Sequence, residues 1–158
     1  MANYWTDVWT DIITVMKDGW SDVGVSGHPI FRAPQVERVN WVNVIRSSQM
    51  TAPWAVVQMM ADQEEGWGIT WTAFRLTIVC TYIAKHSGTD MAATLEAKVK
   101  SLQDKVQSPT TPYTHLRVLD TGFSVDVTEN NPITRAMLDS NYPFSAASLK
   151  FQALAGEY

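Results

Sequence analysis

Asp120, Thr121 and Gly122 follow the apolar pair Val118 and Leu119. Aspartic proteases use an Asp-Thr-Gly triplet of this kind, because two such loops bring two carboxylates together to share one proton. The triplet occurs once here, so a catalytic pair would need two copies of the chain. Phe123 stands where those enzymes carry a small residue, and Leu154 to Gly156 is a poor match to their downstream apolar-apolar-Gly element. An Asp and a Gly making a tight turn is the simpler account. His28, His86 and His115 are scattered, none at a metal-ligand spacing from another His, Cys or carboxylate. Asp62, Glu64 and Glu65 form an acidic run that could suggest a cation site; a solvated hairpin tip explains it more simply. The single cysteine, Cys80, allows no intrachain disulfide and reads as a small buried hydrophobe. There is no G-x-S-x-G, no G-x-G-x-x-G and no P-loop. The residues therefore nominate no catalytic, cofactor-binding or metal-binding group, and the expectation is a protein that is not an enzyme and needs no cofactor.

The elements that would carry these residues are easier to read. The 158 residues suit one α+β domain over 1–158 with a real core. Hydrophobic residues make up 46% and charged residues only 18%, which leaves a rather neutral surface suited to being covered by a partner. A net charge of −4 argues against a basic nucleic-acid footprint. No signal peptide is evident, and the longest mostly apolar run, Leu76 to Ala84, is too short to span a membrane.

Thr70 to Ala84 is the organising stretch. Phe74, Leu76, Ile78, Cys80, Tyr82 and Ala84 alternate with Arg75, Thr77, Val79, Thr81 and Ile83, the period of a β-strand built from branched and aromatic residues. Fifteen residues at about 3.3 Å each would reach roughly 50 Å, so this central strand is expected to bend or to project beyond its sheet. Asn3 to Asp18 has the 3.6 period of an amphipathic helix, with Trp5, Val8, Trp9, Ile12, Ile13 and Met16 as its stripe and Gly19 as its stop. A loop over about 20–35 follows, with a short extended piece at Ile30 to Arg32. Val36 to Arg46 suits a short helix, with a strand as the alternative. Trp54 to Met60 reads as a strand, and DQEEGWG as the turn into the long strand. His86 to Asp90 reads as a turn. Asp90 to Val106 is a helix, since Ala92, Leu95, Val99, Leu102 and Val106 recur at intervals of three and four. A linker over about 107–114 contains Pro109 and Pro112. Leu116 to Thr128 reads as two short strands around Gly122 or one kinked strand, a short helix runs from Asn131 to about Asp139, and Ala146 to Leu154 is a final strand. The sum is an α+β fold: a mostly antiparallel sheet with a long strand, packed against the N-terminal helix and the central helix.

All seven tryptophans precede Thr72, more than one core of this size usually absorbs. The rings either form an aromatic-rich core layer or in part pack outside the monomer. Trp20, Trp67, Trp71 and Arg75 are the candidate subunit-interface residues; Trp67 is flanked by Gly66 and Gly68, which would present its ring on a tip, with a strand-entry ring tucked under the sheet as the alternative.

An amphipathic N-terminal helix, an irregular stretch, the strand PWAVVQMM, the long strand WTAFRLTIVCTYIAKHSGT running into the helix DMAATLEAKVKSLQDKV, a small helix after ENNP and the C-terminal strand SAASLKFQALAGEY follow one another along the chain. This order resembles the tail terminator and neck (head–tail joining) proteins of tailed bacteriophages. The resemblance covers most of the chain and rests on element order and texture. It implies a structural virion protein, assembled in the host cytoplasm, that forms a ring, commonly of six copies. Such a ring caps the tail tube and joins it to the head connector, and DNA passes through it without specific binding. Its implied partners are other copies of itself, the tail tube protein and the connector or stopper protein. Asp62, Glu64 and Glu65 become the candidate channel-facing residues, with the acidic face of the first helix as the alternative, because a basic lining would hold phosphates. Two alternatives stand beside it: another connector or tail-completion protein, and a small α+β ligand-binding domain or enzyme.

Overall fold

The computed structural model describes residues 4–33, 53–66, 72–85, 91–114, 116–119, 123–126 and 144–156. Helix α1 spans Tyr4–Gly19. Val8, Ile12, Val15 and Met16 are buried along it and Trp9 and Ile13 pack at the margin, so the stripe turns slightly toward Val15 relative to the expected one. Strand β1 is Ile30–Ala33, β2 is Trp54–Gly66 and β3 is Thr72–Lys85. Helix α2 is Met91–Gln107 and buries Leu95, Val99, Leu102 and Val106, four of the five residues expected at intervals of three and four. Two short strands, β4 (Leu116–Val118) and β5 (Ser124–Asp126), precede the long β6 (Phe144–Gly156).

The six strands form one mixed sheet in the order β1-β2-β3-β6-β4, with β5 pairing beside β4 on the same outer side of β6. The α+β fold is as expected, and β3 is central. β1 runs parallel to β2, while the other pairings are antiparallel. Of the two outcomes expected for the long strand, bending or projecting, projection is corrected over the described residues: β2 pairs with β3 from Trp54↔Ile83 to Gly66↔Thr72, and β6 from Phe144↔Lys85 to Gly156↔Ala73. Three long strands of matched length satisfy one another's backbone groups, which a lone overhang would leave unpaired. The acidic segment is not a hairpin tip either. Asp62, Glu64 and Glu65 lie within β2, whose ladder continues through Gly66 after a bulge between Ala61 and Gln63 that leaves Asp62 as the extra residue.

Both helices cover the face that carries Ala55, Val57 and Met59 of β2, Leu76, Ile78, Cys80 and Tyr82 of β3, and Ala147, Leu149, Phe151, Ala153 and Ala155 of β6. The opposite face is buried as well, through Trp54, Val56, Ile83, Ala146 and Leu154 and the polar Gln58, Thr77, Thr81 and Ser148. Register places Thr81 opposite Ser148, and their hydroxyl oxygens are 2.8 Å apart. A central strand buried on both faces explains why β-branched residues occupy both halves of its alternation.

The two helices come into close contact where α1 ends. A Cβ on Gly19 would lie 2.9 Å from the Leu102 Cα, and the Ser101 hydroxyl donates a 2.9 Å hydrogen bond to the Gly19 carbonyl. Glycine serves here as a contact surface as well as a helix end. The segment after α2 is tied down in turn. The Tyr113 hydroxyl donates to the Val106 carbonyl at 2.8 Å, and the Thr114 amide donates to Asp11 Oδ2 at 2.8 Å. The sequence expectations over Val36 to Arg46, His86 to Asp90 and Asn131 to Asp139 lie outside the described residues.

Candidate functional site

The interior side chain with the most polar consequence is Trp20. It directly follows α1, is 0% exposed, and its indole Nε1 donates a 2.7 Å hydrogen bond to the Lys98 carbonyl of α2. Its ring lies 5.3 Å from that of Tyr82, tilted by 59°. Trp20 is therefore a core residue. The expectation that it anchors a second subunit is corrected, because a fully enclosed ring offers nothing to a partner. The amphipathic indole needed one apolar enclosure and one acceptor, and the junction of α1, α2 and β3 supplies both.

Asp22, two residues on, completes a polar node. The Tyr82 hydroxyl donates to Asp22 Oδ2 at 2.6 Å, and Lys98 Nζ donates to the same oxygen at 3.0 Å while lying 5.2 Å from the Tyr82 ring centroid. Asp22 Oδ1 is enclosed and has no hydrogen-bond partner. Burial pushes the Asp22 carboxyl upward, but the hydrogen bonds from Tyr82 and Lys98 and the lysine charge together outweigh it and hold the group below its ordinary value. The same burial, with Asp22 beside it, raises the Tyr82 phenol. An ionised carboxylate shared by a phenol and an ammonium has the parts for proton transfer. Here both donors are spent on one oxygen, and the arrangement clamps the loop after α1 to β3 and α2.

That clamp steadies a small protruding turn. Gly24 donates to the His28 carbonyl at 2.7 Å, and His28 donates to the Val25 carbonyl at 3.0 Å. Gly27 has φ 83° and Gly24 φ 73°, conformations open to glycine at no steric cost. His28 Nδ1 lies 3.0 Å from the Pro53 carbonyl; since that oxygen can only accept, the ring nitrogen is the donor. His28 thus acts as a strut between the turn and the start of β2. On the helix-bearing side of β5, a groove of about 440 Å³ is lined by Glu96, Val99, Lys100, Gln103 and Asp104 of α2 and by Val125.

The remaining sequence candidates are placed as follows. Arg75 is half-buried on β3, opposite Gln63 on one side and Leu154 on the other. Asp62, Glu64 and Glu65 lie at the far end of β2. Trp67 and Trp71 fall outside the described residues, as do the Asp120-Thr121-Gly122 triplet, His86 and His115. Cys80 is buried in the core, where desolvation drives its thiol far above the usual range. Among the described residues, no cluster of three or more His, Cys, Asp or Glu side chains could hold a metal ion, and no helix is long and apolar enough to cross a membrane. The node of Asp22, Tyr82 and Lys98 was not read from the sequence, because its members are 60 and 76 residues apart and follow no motif. The turn was legible in part, through the spacing of Gly24, Gly27 and Pro29.

No family model matches this chain, and no curated protein matches it.

Proposed function

We propose that this chain is a ring-forming building block in the neck of a tailed bacteriophage: a tail terminator, or a closely related head–tail joining protein, that caps the tail tube and joins it to the head connector. The observation that carries this reading is the order of the elements. An N-terminal helix and a helix following the long central strand lie on one face of the sheet, and the C-terminal strand returns along that central strand over its whole length. This is the sequence of parts on which the resemblance rests. A chain with only 18% charged residues has few to place on its surface, which supports obligate contacts with neighbours.

On this reading the partners are copies of the same chain, the tail tube protein and the head connector, in a virion. DNA crosses the ring without specific binding. Asp62, Glu64 and Glu65 face the channel, where like charge lets phosphates slide past. Arg75, Trp67 and Trp71 serve contacts between subunits.

The reading is tested by a nonsense mutation in the producing phage. Tails of uncontrolled length that fail to join filled heads are expected, and normal virions without the protein would overturn it. Charge reversal at Asp62, Glu64 and Glu65 is expected to leave rings intact while impairing DNA passage. Normal packaging and ejection by that variant would remove the channel assignment.

A further inference from the structure

The large apolar side chains that stand exposed among the described residues are Val25, 51% exposed, and Val125, 49% exposed. They differ in setting. Val25 stands on the convex turn after α1, held by two backbone hydrogen bonds and by the His28 strut. Val125 is part of the wall of the concave groove along α2. A projection already fixed in shape loses little entropy when it seats in a groove.

Sheet order separates the two. The turn leads directly into β1, the outer strand on one side, and β5 is outermost on the other side beyond β6. Four strand steps of about 4.8 Å put roughly 19 Å between them. A contact between the turn of one copy and the groove of another is therefore heterologous. It leaves one turn and one groove free at the ends, and it repeats until the subunits close on themselves.

The charges agree with that pairing. Glu96, Lys100 and Asp104 recur every four residues along the groove side of α2, two carboxylates to one ammonium. The Lys17 side chain lies along Gly24: a Cβ there would meet Lys17 Cε at 2.7 Å and Cγ at 2.8 Å. Lys17 thus travels with the turn, whereas Asp18 projects about 100° further round the helix.

We infer that the Val25 turn of one copy seats in the α2–β5 groove of the next, Val25 against Val99 and Val125, with Lys17 facing Glu96 and Asp104. This rests on the ring reading and names the contact through which the ring would close. Two variants of the full chain test it, Val25→Glu and Val125→Glu, with mass read by light scattering and folding by circular dichroism. Each alone is expected to remain folded and to stop at the monomer. Mixed in equal amounts they are expected to give a dimer and nothing larger, because each supplies the surface the other lacks. Lys17→Glu is expected to disrupt assembly, and adding Glu96→Lys and Asp104→Lys to that same chain to restore it. If both valine variants assemble as the parent does, or their mixture gives no dimer, the contact is wrong and the ring reading survives. If the parent chain is itself monomeric at every concentration, both fall.

Discussion

The Tyr82 hydroxyl donates a 2.6 Å hydrogen bond to Asp22 Oδ2, the oxygen that also accepts from Lys98. Through that one atom the loop after α1 is held to the central strand and to α2. Tyr82→Phe deletes one bond to a carboxylate whose side chain is 38% exposed, so the expected loss is about 1 kcal/mol after allowing for screening. Urea denaturation checks it, and an unchanged midpoint would mean the bond is not formed in solution.

The pH dependence has a defined sign. The Asp22 carboxyl is held below its ordinary value in the folded chain, so the stabilisation it gives is complete above about pH 4 and is lost as pH falls through the lower folded value. The gap in stability between the parent and Asp22→Asn is expected to be constant from pH 5 to 7 and to close below about pH 4. A gap that widened on acidification would contradict the clamp.

Trp20 gives the third prediction. Trp20→Ala empties an enclosed core position and strips the Lys98 carbonyl of its donor, so a loss of about 3–5 kcal/mol is expected. The melting temperature of a dilute sample should drop steeply. A variant that melts like the parent but no longer assembles would return Trp20 to the interface.

Gly19 sets propensity against packing. Alanine is the better helix former by about 1 kcal/mol, yet its methyl would press on the Leu102 backbone. Gly19→Ala is expected to destabilise by about 1–3 kcal/mol as the helices separate. A stabilised variant would show that they are not this close.

Cys80 is enclosed and its thiol is held protonated. It is expected to resist a thiol reagent at pH 8 until the protein unfolds. Fast labelling of native protein would mean the face beneath the helices opens readily.

Both described helices were legible because their apolar residues repeat at the helical period, and their ends fall within about a residue of the expected ones. Strand β3 was legible from its alternation. The outer half of β2 was not, since Asp62 to Gly66 has the composition of a turn and is held in the sheet by pairing with Thr72 to Arg75. Local composition does not report which backbone a residue will pair with, even when the partner strand follows after a single turn. For the same reason Trp20 read as a surface anchor: the acceptor and ring that enclose it come from Lys98 and Tyr82.

The central claim is that the chain is built to close on copies of itself, and size-exclusion chromatography with light scattering on the full chain, from dilute to concentrated, tests it most directly. The account predicts a discrete closed species whose mass is a whole multiple of the 17.7 kDa chain and does not grow further with concentration. A single 17.7 kDa monomer throughout that range would contradict it.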